Sequence, residues 1–314
     1  MKKIESYLPY LAGIAISVIF GLSFLFTKQG LDDFSPMVLL SYRFGIAAVI
    51  IGMLTAAGIV KVNFRGKSLK GIFLLALFHP TTYFITETIG IKYTSSSEAG
   101  IMIALIPIVV MVLAMIFLKE RPSVIQKLFI LVSVLGVIFI IIMSGSLKLQ
   151  GHFMGSIALI IAVLAGSVFS VLSRKLSKDF SSIEITFVMI VFGAVFFNLI
   201  AVIKGIMEKD LYNQYITPMT SLNGVVAVLY LGIVASIIAF FMQNYMLSKL
   251  QATNTSVFTN LTTIISIAAG TLIRHESFYW YQLVGGILII LGVWGTNFFN
   301  AEPVKNDMGK QAGM

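Results

Sequence analysis

Three ionisable side chains stand inside otherwise apolar stretches: Arg43, His79 and Glu87. Even on a lenient insertion scale such a group costs on the order of 2.5–3.5 kcal/mol at the centre of a membrane helix, so each calls for a partner or a task. His79, Tyr83 and Glu87 are spaced four apart in His79-Pro80-Thr81-Thr82-Tyr83-Phe84-Ile85-Thr86-Glu87 and form one oblique ridge of a helix. Pro80 removes a backbone donor and is expected to kink that helix where polar groups need room. An offset of 156 residues places Glu87 on Gln243 and Thr88 on Asn244. These groups are expected to line a path for a small solute, with Glu87 as its charge or proton-coupling partner. The competing reading is that Arg43 and Glu87 pair to hold two helices together, and that His79 is hydrogen-bonded within the bundle.

A second polar series, Ser256, Asn260, Thr263, Ser266 and Gly270, follows helical spacing, with Thr259 beside it. Small and hydroxyl residues let helices approach closely in lipid, so packing is the default reading; contact of these hydroxyls with solute is the alternative. Gly13, Ser17 and Gly21, and Ala162, Gly166 and Ser170, are read as packing. The candidate binding set is Arg43, His79, Tyr83, Glu87, Gln243, Asn244, Asn260 and Thr263.

Other chemistries find no support. The chain has no cysteine, and His79, His152 and His275 lack ligand spacing, so no metal or other cofactor is expected. No GxxxxGK[ST] loop for ATP, no HExxH and no pair of intramembrane aspartates is present. An enzyme is therefore not expected. The net charge of +9 is not gathered into a stripe, which argues against nucleic acid.

The elements that must position these residues follow from composition. Of 314 residues, 58% are hydrophobic and 11% charged, against roughly a quarter charged in soluble domains. Runs of the ~20 residues needed to cross a bilayer recur at 8–27, 36–58, 70–91, 98–118, 124–143, 153–173, 183–203, 222–246, 253–273 and 279–299. The first of these is read as a retained span rather than a signal peptide, because no small-residue cleavage site follows it. With the amino terminus cytoplasmic, 15 Lys and Arg residues fall on that side and 6 on the other, so both termini are expected to be cytoplasmic. Tyr279, Trp280 and Tyr281 would then form an interfacial belt.

Spans 4–5 superpose on spans 9–10 at the same offset of 156, with Glu120 on Glu276, Gln126 on Gln282 and Gly136 on Gly292. Near an offset of 146, Lys28 falls on Arg174 and Phe34-Ser35 on Phe180-Ser181. The reading is an all-α polytopic protein of ten transmembrane helices in two repeats, 1–147 and 148–300, with a disordered tail at 301–314. Five spans per repeat is odd, so the second repeat enters the membrane inverted, an architecture recurrent in carriers. Spans 5 and 10, apolar almost all round, are expected to face lipid. Glu120 and Glu276, at the ends of spans 4 and 9, are read as structural.

The chain resembles the drug/metabolite transporter superfamily, specifically its EamA-type members with two five-span repeats. The residues that carry the likeness are Ser41-Tyr42-Arg43-Phe44, Tyr93-Thr94-Ser95-Ser96, Pro107, Leu118-Lys119-Glu120-Arg121-Pro122, Gln243-Asn244-Tyr245 and Arg274-His275-Glu276. Thr263 stands where the second repeat would carry proline. The resemblance implies a cell-membrane secondary carrier, an exporter of amino acids, related metabolites or amphipathic solutes. Its partners would be a small-molecule solute and the bilayer, with proton coupling and a homodimer left open. A receptor or scaffold without transport is the alternative.

Overall fold

The computed structural model describes residues 7–94, 96–144, 153–209, 211–274 and 279–299. The expectations for the amino-terminal lysines, His152, His275, Glu276 and the tail fall outside these residues.

Helices stand at all ten expected positions. In chain order they are α1 Leu8–Asp33, α2 Pro36–Ala56, α3 Lys70–Tyr93, α4 Ser96–Ile103, α5 Ile106–Phe117 and α6 Val124–Ser144. They continue as α7 Phe153–Leu176, α8 Ser182–Met207, α9 Leu222–Lys249, α10 Ala252–Ile273 and α11 Trp280–Phe298. Seven of them are long and apolar enough to cross a membrane; α4 with α5, α6 and α11 make the remaining crossings. The fourth crossing, expected as one helix, is broken at Ala104-Leu105. Pro107 has no N–H to bond the carbonyl at Ile103 and its ring crowds that carbonyl. Local signals set other ends. Pro36 opens α2 in the first turn, where a missing N–H costs nothing. Ser181 and Glu184 form a reciprocal capping box at the start of α8, at 3.2 and 2.8 Å.

Two of the long helices are widened in mid-course. Leu77–Thr82 in α3 and Tyr230–Ile238 in α9 are π-helical, and His79 leaves helical geometry altogether at φ −146°, ψ 111°. The offset of 156 carries the first segment onto the second, so both halves open their third helix at the same level. Insertions of this kind concentrate at functional sites.

The packing is unchanged when the two halves are exchanged. α2 packs on α8, α6 on α11, and α4–α5 on α10; α1 packs on α9 and α10, as α7 packs on α3 and on α4–α5. The α6–α11 crossing brings backbone close to backbone. A Cβ at Gly292 would lie 2.7 Å from the Phe129 carbonyl, and one at Gly136 would lie 2.7 Å from the Gly285 carbonyl. The outer faces of this pair, including Leu128, Leu131, Leu135, Ile287, Ile290 and Leu291, are exposed apolar surface, as lipid requires. The α1, α2, α3, α7, α9 and α10 helices, with the broken α4–α5 crossing, surround the centre.

Candidate functional site

A chamber lies at the meeting of the two halves, with about 530 Å³ of empty space counted out past its open mouth. α1 contributes Phe20, Ser23 and Phe24; α2, Arg43; α3, His79, Tyr83, Phe84 and Glu87; and the broken fourth crossing, Ile103 and Ile106. From the second half come Gly166, Phe169 and Ser170 on α7, Gln243 on α9, and Thr259 and Thr262 on α10. A smaller recess of about 330 Å³ shares Phe20, Ser170, Gln243, Thr259 and Thr262 and continues to Thr255 and Ser256 near the start of α10.

The π segment of α3 lets its ridge face this space. His79 stacks on Phe169 at 4.3 Å between ring centres and meets Tyr83, Phe84 and Phe240 at 4.8–5.3 Å. The imidazole is thus one wall of an aromatic cage. One turn on, Tyr83 Oη donates to Glu87 Oε1 at 3.1 Å.

Arg43 is 1% exposed. Its Nε donates to Ser236 Oγ at 2.9 Å and its guanidinium carbon lies 4.1 Å from the centre of the Phe84 ring, a cation–π contact strengthened by the absence of water. Among the described residues no ion pair joins Arg43 to Glu87. Each is held by a neutral neighbour instead.

Four chamber residues therefore carry a buried polar atom without a partner: Arg43 Nη2, His79 Nδ1, Glu87 Oε2 and Gln243 Oε1. A buried group left unmade costs about 1–3 kcal/mol, and more when charged. The set places a guanidinium donor and a carboxyl oxygen among aromatic rings.

The other candidates lie elsewhere. Asn244 accepts from Ser173 Oγ at 2.7 Å and donates to Thr186 Oγ1 at 3.0 Å, bridging α9 to α7 and α8. Asn260 donates to Ser133 on α6, Thr263 donates to the Gly100 carbonyl at 2.8 Å, and Ser266 to the Ser96 carbonyl at 3.0 Å. This stripe ties α10 to α4 and α6, while its neighbours Thr259 and Thr262 face the chamber. Gly166 and Ser170, read as packing from their spacing, also reach it: a Cβ at Gly166 would lie 3.1 Å from the Tyr83 ring. Ser236 carried no signal in the sequence, being a lone serine in an apolar run.

Glu120, by contrast, is a cap. Its carboxylate accepts from the Ala252 and Thr253 amides at 2.7 and 3.1 Å and from Thr253 Oγ1 at 2.7 Å, satisfying the start of α10. Lys119, at φ 57°, turns the chain to aim it there.

Comparison with known proteins agrees with this architecture. The EamA-like transporter family matches twice, over residues 8–142 and 153–298. The chain is 37% identical over 305 residues to the uncharacterized transporter YcxC of Bacillus subtilis, covering 97% of each. It is 26% identical to an uncharacterized transporter of Archaeoglobus fulgidus, over 90% of this chain and 96% of that one. One crystal structure shares the fold at 15% identity, with a TM-score of 0.72 over 92% of this chain and 96% of its own. Two matched repeats spanning nearly the whole sequence, with a full-length relative above 30% identity, place the chain in the EamA-like transporter family.

Proposed function

We propose that the protein is a secondary carrier that exports small amphipathic solutes, amino acids or their close relatives, across the cell membrane by alternating access. The observation that carries this reading is the chamber in which Arg43 Nη2 and Glu87 Oε2 stand unpartnered among Phe24, Tyr83, Phe84 and Phe169. A zwitterion would supply a carboxylate to the first and an ammonium to the second, and its side chain would lie on the rings.

Two halves of like packing can exchange roles, giving states of similar energy open to opposite sides. The excess of Lys and Arg on one face supports an orientation with both termini in the cytoplasm. In that orientation the recess at Thr255 and Ser256 leads from the chamber toward the cytoplasmic side, the entry an exporter needs. Glu87 is the group that would take a proton when solute leaves, coupling efflux to the proton gradient. His79, Tyr83 and Gln243 shape the pocket around the solute.

Counterflow in proteoliposomes tests this reading. Vesicles preloaded with an unlabelled amino acid should accumulate the labelled one, with the greatest effect for apolar and aromatic amino acids, and an imposed pH gradient should drive net flux. Absence of counterflow across the full set of amino acids would remove the solute class from the proposal.

A further inference from the structure

The geometry around Arg43 points to a second residue in solute recognition, resting on the reading that Arg43 binds the solute's carboxylate. Ser236 Oγ accepts from Arg43 Nε at 2.9 Å and donates to the Leu231 carbonyl at 2.8 Å. Serines elsewhere in the bundle, such as Ser17, Ser167 and Ser170, donate to the carbonyl four residues back. At Ser236 the acceptor is five residues back, because the π segment Tyr230–Ile238 brings that carbonyl within reach. The hydroxyl proton is thereby committed, and only a lone pair is left to face Arg43.

The same segment lies directly against α2. A Cβ on Gly232 would come within 3.1 Å of the Arg43 carbonyl and 3.2 Å of Ile46 Cβ. Ser236 is fully buried, so no water competes for the guanidinium at that point. With Nε bound to Ser236 and the planar group lying 4.1 Å from the Phe84 ring centre, rotation about the last side-chain bonds is blocked. Nη2 stays buried and without a partner, on a residue that lines the chamber.

We infer that Ser236 is a positioning residue: it fixes the Arg43 guanidinium at the chamber wall in the orientation that selects solutes bearing a carboxylate. Arg43 comes from the first half of the chain and Ser236 from the second, so the anion site is completed only when the two halves meet at this level.

The test uses the full-length protein in proteoliposomes, with L-phenylalanine and L-phenylalaninamide, which lacks the carboxylate, as paired probes. Ser236→Ala should raise the KM for L-phenylalanine about tenfold, the scale of a lost hydrogen bond to a charged group, with maximal flux within about twofold of wild type. The amide should be affected less than twofold, and Ser236→Thr should restore the KM. Equal loss for both probes, or no change for either, overturns the positioning role. A wild-type protein that moves neither probe nor any other amino acid overturns the functional reading itself, a result separable from the first because it needs no variant. Thermal melting of the purified variants separates misfolding from altered recognition: Ser236→Ala melting more than about 10 °C below both wild type and Ser236→Thr marks a structural role and counts against the inference.

Discussion

Lys28 and Arg174 do the same work on opposite faces of the membrane. Lys28 Nζ donates to the carbonyls of Ile91 and Thr94 at 2.9 and 2.6 Å, and Arg174 Nη1 donates to those of Leu247 and Ser248 at 2.9 and 2.8 Å. In each half a cation at the end of the first crossing satisfies the open carboxyl end of the third, where the helix dipole is negative. Replacing either by Ala should cost about 1–2 kcal/mol. The two sites lie at opposite ends of the bundle, so the double variant should show the sum. Melting of the detergent-solubilised protein measures this, and Lys28→Arg should keep most of the stability.

Glu87→Gln keeps the shape and the Tyr83 hydrogen bond but removes the titratable carboxylate. Exchange of solute down its own gradient should persist at reduced affinity, while accumulation driven by a pH gradient should vanish and the pH dependence of flux should flatten. Transport that stays undiminished and equally pH-dependent takes Glu87 out of the mechanism.

Glu120→Ala removes three hydrogen bonds from the start of α10 and should loosen the mouth of the recess beside it. Because the chain has no cysteine, a single Thr255→Cys reporter reads this without background. Its labelling by a membrane-impermeant maleimide, from the side on which α10 begins, should quicken at least about fivefold in the Glu120→Ala background. An unchanged rate would mean that Glu120 only caps the helix.

Gly292→Val should be the most damaging apolar change. Its Cβ would meet the Phe129 backbone at 2.7 Å, and backbone cannot step aside as a side chain does. Folded yield in detergent, read by size-exclusion profile, should fall sharply, whereas Gly286→Ala, where nothing lies within 4 Å, should be silent.

Much of this was legible in the sequence because lipid imposes simple rules. Apolar runs of fixed length gave the crossings, and the offset of 156 paired the third helices and placed Glu87 against Gln243. The phase of individual helices was harder to read. An ideal wheel runs on 3.6 residues per turn, but each π segment inserts part of a turn and rotates everything after it. Gln243 therefore reaches the chamber while Asn244, its neighbour, bridges α7 and α8. On α10 the polar residues occupy almost every direction, so nothing in their spacing separates Thr259 and Thr262 from Asn260 and Thr263. Ser236 was silent for a different reason: its role depends on a partner 193 residues away.

The paired π segments also bear on how such a bundle could move. A turn closed by i to i+5 bonds is a joint, since the rod on one side can swivel against the rod on the other by exchanging bonding partners. Glu87 and Gln243 both lie beyond the joint, on the portion that Lys28 or Arg174 fastens to the neighbouring first crossing. The Glu87 carboxyl and the Gln243 amide therefore each sit on a short segment bounded by a π turn at one end and a fastened helix end at the other.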